Sequence, residues 1–305
     1  MNCRDFRKPE QGPIRTPSES ESLSIRVNRN CPWNRCLFCP VYKGKKFNQR
    51  SMEEIKKDID YWVVEGEISL IKSIFLQDSD VLQTETGNLI EILEYINQNL
   101  PSVERITCYT RASTITQKTP SELVSLHRAG LSALYIGLES GYDKLLSYMR
   151  KGLSQEIAIE TGLKVKESGM ELNFFILLGL AGKLVFEGKE GWKMHALETA
   201  KVLNKVDPDF IRFRTLYIYD KVPLSKFVEK GVFEEASGQE VLQEQTLLIE
   251  NLNITSKVEC FFISNYFNFS PDAHFPEDKE DVLKQIKRAL EIPQLLERRS
   301  HLRHL

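Results

Sequence analysis

Three cysteines fall within nine residues, Cys31-Pro-Trp-Asn-Arg-Cys36-Leu-Phe-Cys39, shortly after an apolar run at 23–27. Thiolates are soft donors, and three on one short loop make a site for a soft metal or an iron–sulfur cluster. Such a set leaves one position of a four-coordinate site unfilled, which a reactive centre needs and a closed structural zinc site avoids. A zinc knuckle is the alternative use of Cys31, Cys36 and Cys39. It needs a fourth Cys or His nearby, and none follows until Cys108 and His127.

The 305 residues are 41% hydrophobic and 28% charged, enough for one large α/β domain or two small ones. With a net charge of −2 there is no basic field to gather polyanions, and no nucleic-acid partner is expected. No apolar run approaches the ~20 residues that cross a bilayer, so no membrane association is expected. The first 22 residues are rich in Arg, Lys, Glu, Pro and Ser and lack the apolar core of a signal peptide. They read as a mobile or loosely packed arm, and the chain as a protein of a reducing cytoplasm. In that setting clustered cysteines are ligands rather than bridges. Cys3, Cys108 and Cys260 stand apart and read as thiols, two of them buried in strands.

The elements that must position the cysteine loop alternate. Strand candidates lie at 23–27, 71–76, 105–109, 133–138, 172–178 and 210–217. Most are compact apolar runs, as for parallel strands covered on both faces. Between them, Ser51-Met-Glu-Glu54 and Thr119-Pro-Ser-Glu122 are capping boxes that open helices, with Pro120 in the first turn. Gly130 and Gly169 suit left-handed helix ends. Apolar periodicity places further helices around 89–100, 157–165 and 191–205. Six strand–helix units are too few for a closed eight-stranded barrel, so the expected fold is α/β, a partial (β/α)6 TIM-like barrel. The expected divisions are an arm at 1–22, a core at 23–220 and a small α/β extension at 221–305 that closes the barrel mouth. The extension offers a helix at 238–251, a strand at 258–263 and a helix at 277–291, and the last residues read as a frayed charged end.

The cysteine loop resembles that of radical S-adenosylmethionine enzymes, with four residues rather than the usual three in the first gap. The resemblance implies that Cys31, Cys36 and Cys39 hold a [4Fe–4S] cluster whose fourth iron binds S-adenosylmethionine, and that Phe38 lies beside the adenine. Four further strand ends carry it, over about residues 23–217. Gln77-Asp-Ser-Asp80 stands where the family presents acceptors to the methionine ammonium, so Asp78, Ser79 and Asp80 are expected there. Arg111 and Ser113 follow the third strand and are expected on ribose hydroxyls or carboxylate. Gly137-Leu-Glu-Ser-Gly141 puts Glu139 and Ser140 toward the cofactor. Arg150, in Met149-Arg150-Lys151, suits a carboxylate through its bidentate guanidinium. Leu178 and Gly179, in a Leu-Leu-Gly-Leu-Ala-Gly string with Ala181 in place of the usual proline, are expected to meet the adenine edge through their backbone.

What the resemblance implies is reductive cleavage of S-adenosylmethionine to a 5′-deoxyadenosyl radical that abstracts hydrogen from an unidentified substrate. An external electron donor of flavodoxin or ferredoxin type is implied as partner. The likeness extends to stand-alone members related to coproporphyrinogen oxidase or to the elongator proteins. Tyr109, Arg212, Arg214, Tyr217, Tyr219, Asn265, Tyr266 and His274 are candidates for the substrate side, Asn265 and His274 more as structural residues. The competing reading is a non-enzymatic iron–sulfur or zinc-binding α/β protein.

Overall fold

The computed structural model describes residues 8–269 and 273–297. Cys3 and the charged end beyond 297 lie outside the described residues. Among the described residues eight strands form the main sheet: β1 (Leu23–Arg26), β2 (Ser73–Gln77), β3 (Arg105–Thr110), β4 (Leu131–Glu139), β5 (Glu171–Leu178), β6 (Phe210–Thr215), β7 (Lys257–Glu259) and β8 (Ala273–His274). Their order in the sheet is their order in the chain, as repeated β/α units give. The chain divides into two compact units, and β4 runs from the first into the second.

The first unit comprises, of the described residues, 8–34, 41–135 and 164–171. There β1, β2 and β3 pair in parallel, with Ile25 beside Leu76 and Leu76 beside Cys108. Ile74, Phe75 and Leu76 are fully buried, so β2 is covered on both faces and reads as an unbroken apolar run. Helices α1 (Met52–Glu65), α2 (Thr86–Asn99) and α3 (Pro120–Arg128) follow the first three strands. Both capping boxes form as expected, Ser51 with Glu54 and Thr119 with Glu122. Residues 8–22 are not loose. Gly12 N–H donates to the Gln77 Oε1 (2.8 Å), Gln77 Nε2 donates to the Ile14 carbonyl (2.9 Å), and the buried Glu19 accepts from Tyr135 (2.6 Å). Polar pairs rather than an apolar pattern hold this arm, which is why the sequence read it as mobile.

The second unit comprises, of the described residues, 35–40, 136–163, 172–269 and 273–297. Here β5, β6 and β7 pair in parallel and β8 joins antiparallel to β7. Helix α4 is Gln155–Glu167, α5 is Gly191–Val206, α6 is Gly238–Glu250 and α7 is Lys279–Leu290. Helix α6 packs on α5 and α7 packs on α6. The region after Asp220 therefore continues the strand–helix rhythm with a seventh parallel strand. It answers to the strand expected at 258–263, but is only three residues long, Lys257–Glu259. Cys260 lies just past it, buried, while Cys108 is buried within β3. Among the described residues no helix is long and apolar enough to cross a membrane.

Candidate functional site

In the first unit the cysteine loop leaves β1 through a narrow neck. Asn28 and Arg29 pair antiparallel with Gln49 and Asn48, so the chain between them departs and returns at one place. Asn30 and Asn34 lie in the left-handed region (φ 70° and 46°), which Asn tolerates because its amide bonds locally. Asn30 Nδ2 donates to the Lys46 carbonyl (2.6 Å), and Asn34 Nδ2 donates to the carbonyls of Tyr42 (2.6 Å) and Lys45 (3.1 Å). The Asn34 N–H points at Cys31 Sγ, 3.4 Å away. Such donors to sulfur stabilise thiolate character and tune a bound cluster.

The segment after β2 is spent on fixing this loop and the next strand end. Asp78 is wholly buried. It accepts from Arg26 Nη2 (2.7 Å), from the Asn30 N–H (3.1 Å) and from the Tyr42 hydroxyl. Ser79 Oγ donates to the Asn30 carbonyl (2.9 Å). Asp80, also wholly buried, accepts from Thr110 Oγ1 (2.9 Å), the Arg111 N–H (3.1 Å) and Thr114 Oγ1 (2.7 Å). Burial pushes its carboxyl pKa up against those three bonds. It thereby secures the turn carrying Arg111 and Ser113, both half-buried, with the Arg111 guanidinium 5.1 Å from the Trp33 ring centre.

In the second unit Leu37 anchors the other two cysteines. Its N–H donates to the Met149 carbonyl and its carbonyl accepts from Leu224, each at 3.0 Å. Cys36 is buried, Cys39 half-buried, and Phe38 packs on an apolar cluster that includes Tyr142, Met149 and Leu180. Glu139 ends β4 with φ 63° and accepts from Lys151 Nζ at 2.8 Å; Arg150 has φ 53° and is exposed. Left-handed backbone at non-glycine residues concentrates where a site requires it. Ser140 is wholly buried, 2.7 Å from His195 Nδ1, and its hydroxyl accepts from the Tyr142 N–H (3.0 Å). The Leu178 carbonyl accepts from the Leu216 N–H (2.8 Å). At Gly179, whose φ of 73° suits a residue without Cβ, the N–H donates to Glu244 Oε1 (2.8 Å).

His195 on α5 and Glu244 on α6 were not singled out by the sequence, yet they brace both strand ends. The Gly141 N–H donates to Thr199 Oγ1 (2.8 Å), one turn along α5 from His195. His195 Nε2 lies 3.4 Å from Glu244 Oε1. Burial drives the imidazole pKa down to about 3 and the carboxyl up to about 8. Both are neutral at pH 7, so their approach is a contact between uncharged groups rather than an ion pair. The available signal was positional: Glu244 sits among Val241, Leu242 and Leu248 on the apolar face of its helix.

The substrate-side candidates are drawn into structural pairs. Arg214 Nη2 is 3.0 Å from Glu259, which also pairs with Arg212. Asn265 accepts from Thr215 (3.2 Å), Tyr217 and Tyr219 meet edge to face, and His274 is exposed. Tyr109 packs edge to face on Phe75. Tyr266 lines a small cavity with Gly179 and Thr215.

Among the described residues no group of three or more His, Cys, Asp or Glu side chains forms a ready metal cage. The fit to an iron–sulfur cluster therefore rests on donor type: Cys31, Cys36 and Cys39 are thiols rather than disulfides, and soft thiolates suit iron–sulfur chemistry.

Comparison with known proteins places this arrangement. The model of the radical SAM superfamily matches residues 25–183. The chain is 26% identical over 228 residues to the 4′-phospho-dehydrooxetanocin synthase of Priestia megaterium, covering 68% of this chain and 30% of that protein. It is 19% identical over 273 residues to the tRNA uridine(34) acetyltransferase of Methanocaldococcus infernus, covering 76% and 49%. Among solved structures it resembles the radical S-adenosylmethionine methyltransferase TsrM of Kitasatospora setae, with cobalamin and a [4Fe–4S] cluster bound. That match has a TM-score of 0.55 at 19% identity, over 68% of this chain and 37% of the other. The chain thus spans about a third to a half of the length of these curated relatives. It belongs to the radical SAM superfamily, whose members are enzymes with a [4Fe–4S] cluster and S-adenosylmethionine as cofactors, and it shares their α/β fold.

Proposed function

We propose that Cys31, Cys36 and Cys39 hold the [4Fe–4S] cluster of a radical S-adenosylmethionine enzyme acting on a substrate of its own, fed by a flavodoxin- or ferredoxin-type donor in the cytoplasm. The observation that carries this is three thiols in nine residues, inside the family-matched stretch and on the loop that follows the first strand. A bound cluster would relay one electron from the external donor to S-adenosylmethionine, the chemistry needed to cleave its C5′–S bond reductively to methionine and a 5′-deoxyadenosyl radical able to take a hydrogen atom from substrate. The chain's part is to hold and orient. Arg111, Ser113 and Glu139 at strand ends, and Arg150 just past the helix Asp143–Tyr148, carry polar groups suited to ribose, ammonium and carboxylate. Asp78, Ser79, Asp80, Ser140, Leu178 and Gly179 already carry internal hydrogen bonds. Their contribution is to keep those ends rigid, which is how a protein makes a reactive cofactor selective.

The test is anaerobic reconstitution with iron and sulfide, followed by dithionite and S-adenosylmethionine. The wild type is expected to form 5′-deoxyadenosine and methionine, and Cys36→Ala to form neither. A colourless zinc-bearing wild type that yields no 5′-deoxyadenosine overturns the proposal.

A further inference from the structure

The Gln77–Asp80 segment carries two carboxylates, and Asp78 is placed as no ligand acceptor would be. It is 0% exposed. Three donors already converge on it: a guanidinium N–H of Arg26, the backbone N–H of Asn30 and the hydroxyl of Tyr42. A carboxylate has about four acceptor sites, and with the side chain wholly buried the one left over is closed to an incoming ammonium. The two neutral donors are informative. Asn30 immediately precedes Cys31, and Tyr42 lies three residues beyond Cys39. One carboxylate therefore reaches both stems of the cysteine loop.

We propose that Asp78 is a positioning residue, a clamp that ties the entrance of the cysteine loop to its exit, with Ser79 as the second half of the clamp. Ser79 Oγ donates to the Asn30 carbonyl while Asp78 accepts from the Asn30 N–H, so the residue before Cys31 is held through both sides of its backbone. Arg26 Nη2, 2.7 Å from the Asp78 carboxylate, aims it. It is itself held by Glu10, which also takes a bidentate bond from Arg29 at the loop's neck. Orienting a ligand loop through buried partners of this kind is what gives a metal site its affinity. The consequence for a bound cluster rests on the reading of Cys31, Cys36 and Cys39 as its ligands; the clamp itself does not.

The test therefore has a metal-free arm and a loaded arm, on wild type, Tyr42→Phe, Ser79→Ala and Asp78→Asn. In the metal-free protein, alkylation of Cys31 is timed by peptide mass spectrometry. The buried Cys108 and Cys260 serve as internal controls. Tyr42→Phe and Ser79→Ala are expected to speed Cys31 alkylation about tenfold, the scale of one lost hydrogen bond to a charged or fixed group. Cys108 and Cys260 should react at the wild-type rate, whereas a merely structural defect would expose all three. In the reconstituted protein both variants should release iron to a chelator about tenfold faster. S-adenosylmethionine binding by the loaded fraction should be unchanged. Unchanged Cys31 reactivity in both variants overturns the clamp. So does an Asp78→Asn protein with wild-type alkylation and iron retention but weakened S-adenosylmethionine binding, which would make Asp78 a cofactor ligand. A wild type that takes up no iron strikes the cluster reading alone, because the alkylation arm still decides the clamp.

Discussion

Two buried polar regions of this protein solve the same problem in opposite ways. Around the stem of the cysteine loop, opposite charges are paired: Arg26 with Asp78 at 2.7 Å and Arg50 with Asp58 at 2.6 Å, with the half-exposed Arg29, Glu10 and Glu54 at the rim. Behind the ends of β4 and β5, charge is removed, and His195 and Glu244 are buried as neutral groups with Nε2 and Oε2 lacking hydrogen-bond partners in the structure. Pairing gives stiffness, and at the rim the Arg29 guanidinium holds the Glu10 and Glu54 carboxyls below their usual range. Neutralisation lets a carboxyl group sit against a strand end without a counter-ion, at the cost of a stability that depends on protons.

The largest effect should come from breaking a pair. Asp58→Ala leaves the Arg50 guanidinium, only 4% exposed, without its carboxylate. A loss of about 3 kcal/mol is expected by denaturant unfolding, as for other broken buried pairs. A loss under about 0.5 kcal/mol would mean the pair is replaceable by water.

The neutral region should respond to pH. Glu244 keeps its proton in the fold up to about pH 8, while the unfolded chain gives it up above 4.5. The fold holds the extra proton across that window, so stability falls as pH rises through it and levels off above. Glu244→Gln removes the penalty while still accepting from Gly179. It should be more stable than wild type at pH 7, by on the order of 3 kcal/mol, with the gap closing toward pH 4.5. His195 works in the other direction. Below 6.5 the unfolded chain takes a proton that the fold refuses down to about 3, so acid also destabilises. Melting curves of Glu244→Gln that run parallel to wild type at every pH would show that Glu244 is ionised in the fold.

A smaller effect separates local from site-wide roles. Ser237 caps the helix that carries Glu244. Ser237→Ala should cost about 1 kcal/mol and leave the pH profile unchanged. A shifted profile would mean that the position of the helix sets the titration of Glu244.

The strands were legible because their residues are buried on both faces, and each of the six expected ones falls within two residues of its observed ends at most boundaries. The capping boxes at Ser51 and Thr119 were legible because capping is local chemistry. What stayed hidden is long-range. Glu244 meets Gly179 across 65 positions and Asp78 meets Tyr42 across 36, and a single sequence holds no trace of such pairings. Asp78 and Asp80 could be seen to cap a strand end, but a carboxylate's partners decide whether it serves a ligand or a loop. The arm at residues 8–22 was misjudged for the same reason, since Gln77 and Tyr135 hold it from distant strands.

The most direct measurement is EPR of the anaerobically reconstituted, dithionite-reduced protein, with iron and sulfide analysis, before and after adding S-adenosylmethionine. About four irons per chain and a reduced-cluster signal that changes on adding the sulfonium are expected. Both should be lost when Cys31, Cys36 and Cys39 are replaced together by alanine. A protein that binds zinc alone, or whose cluster signal ignores S-adenosylmethionine, would contradict the account.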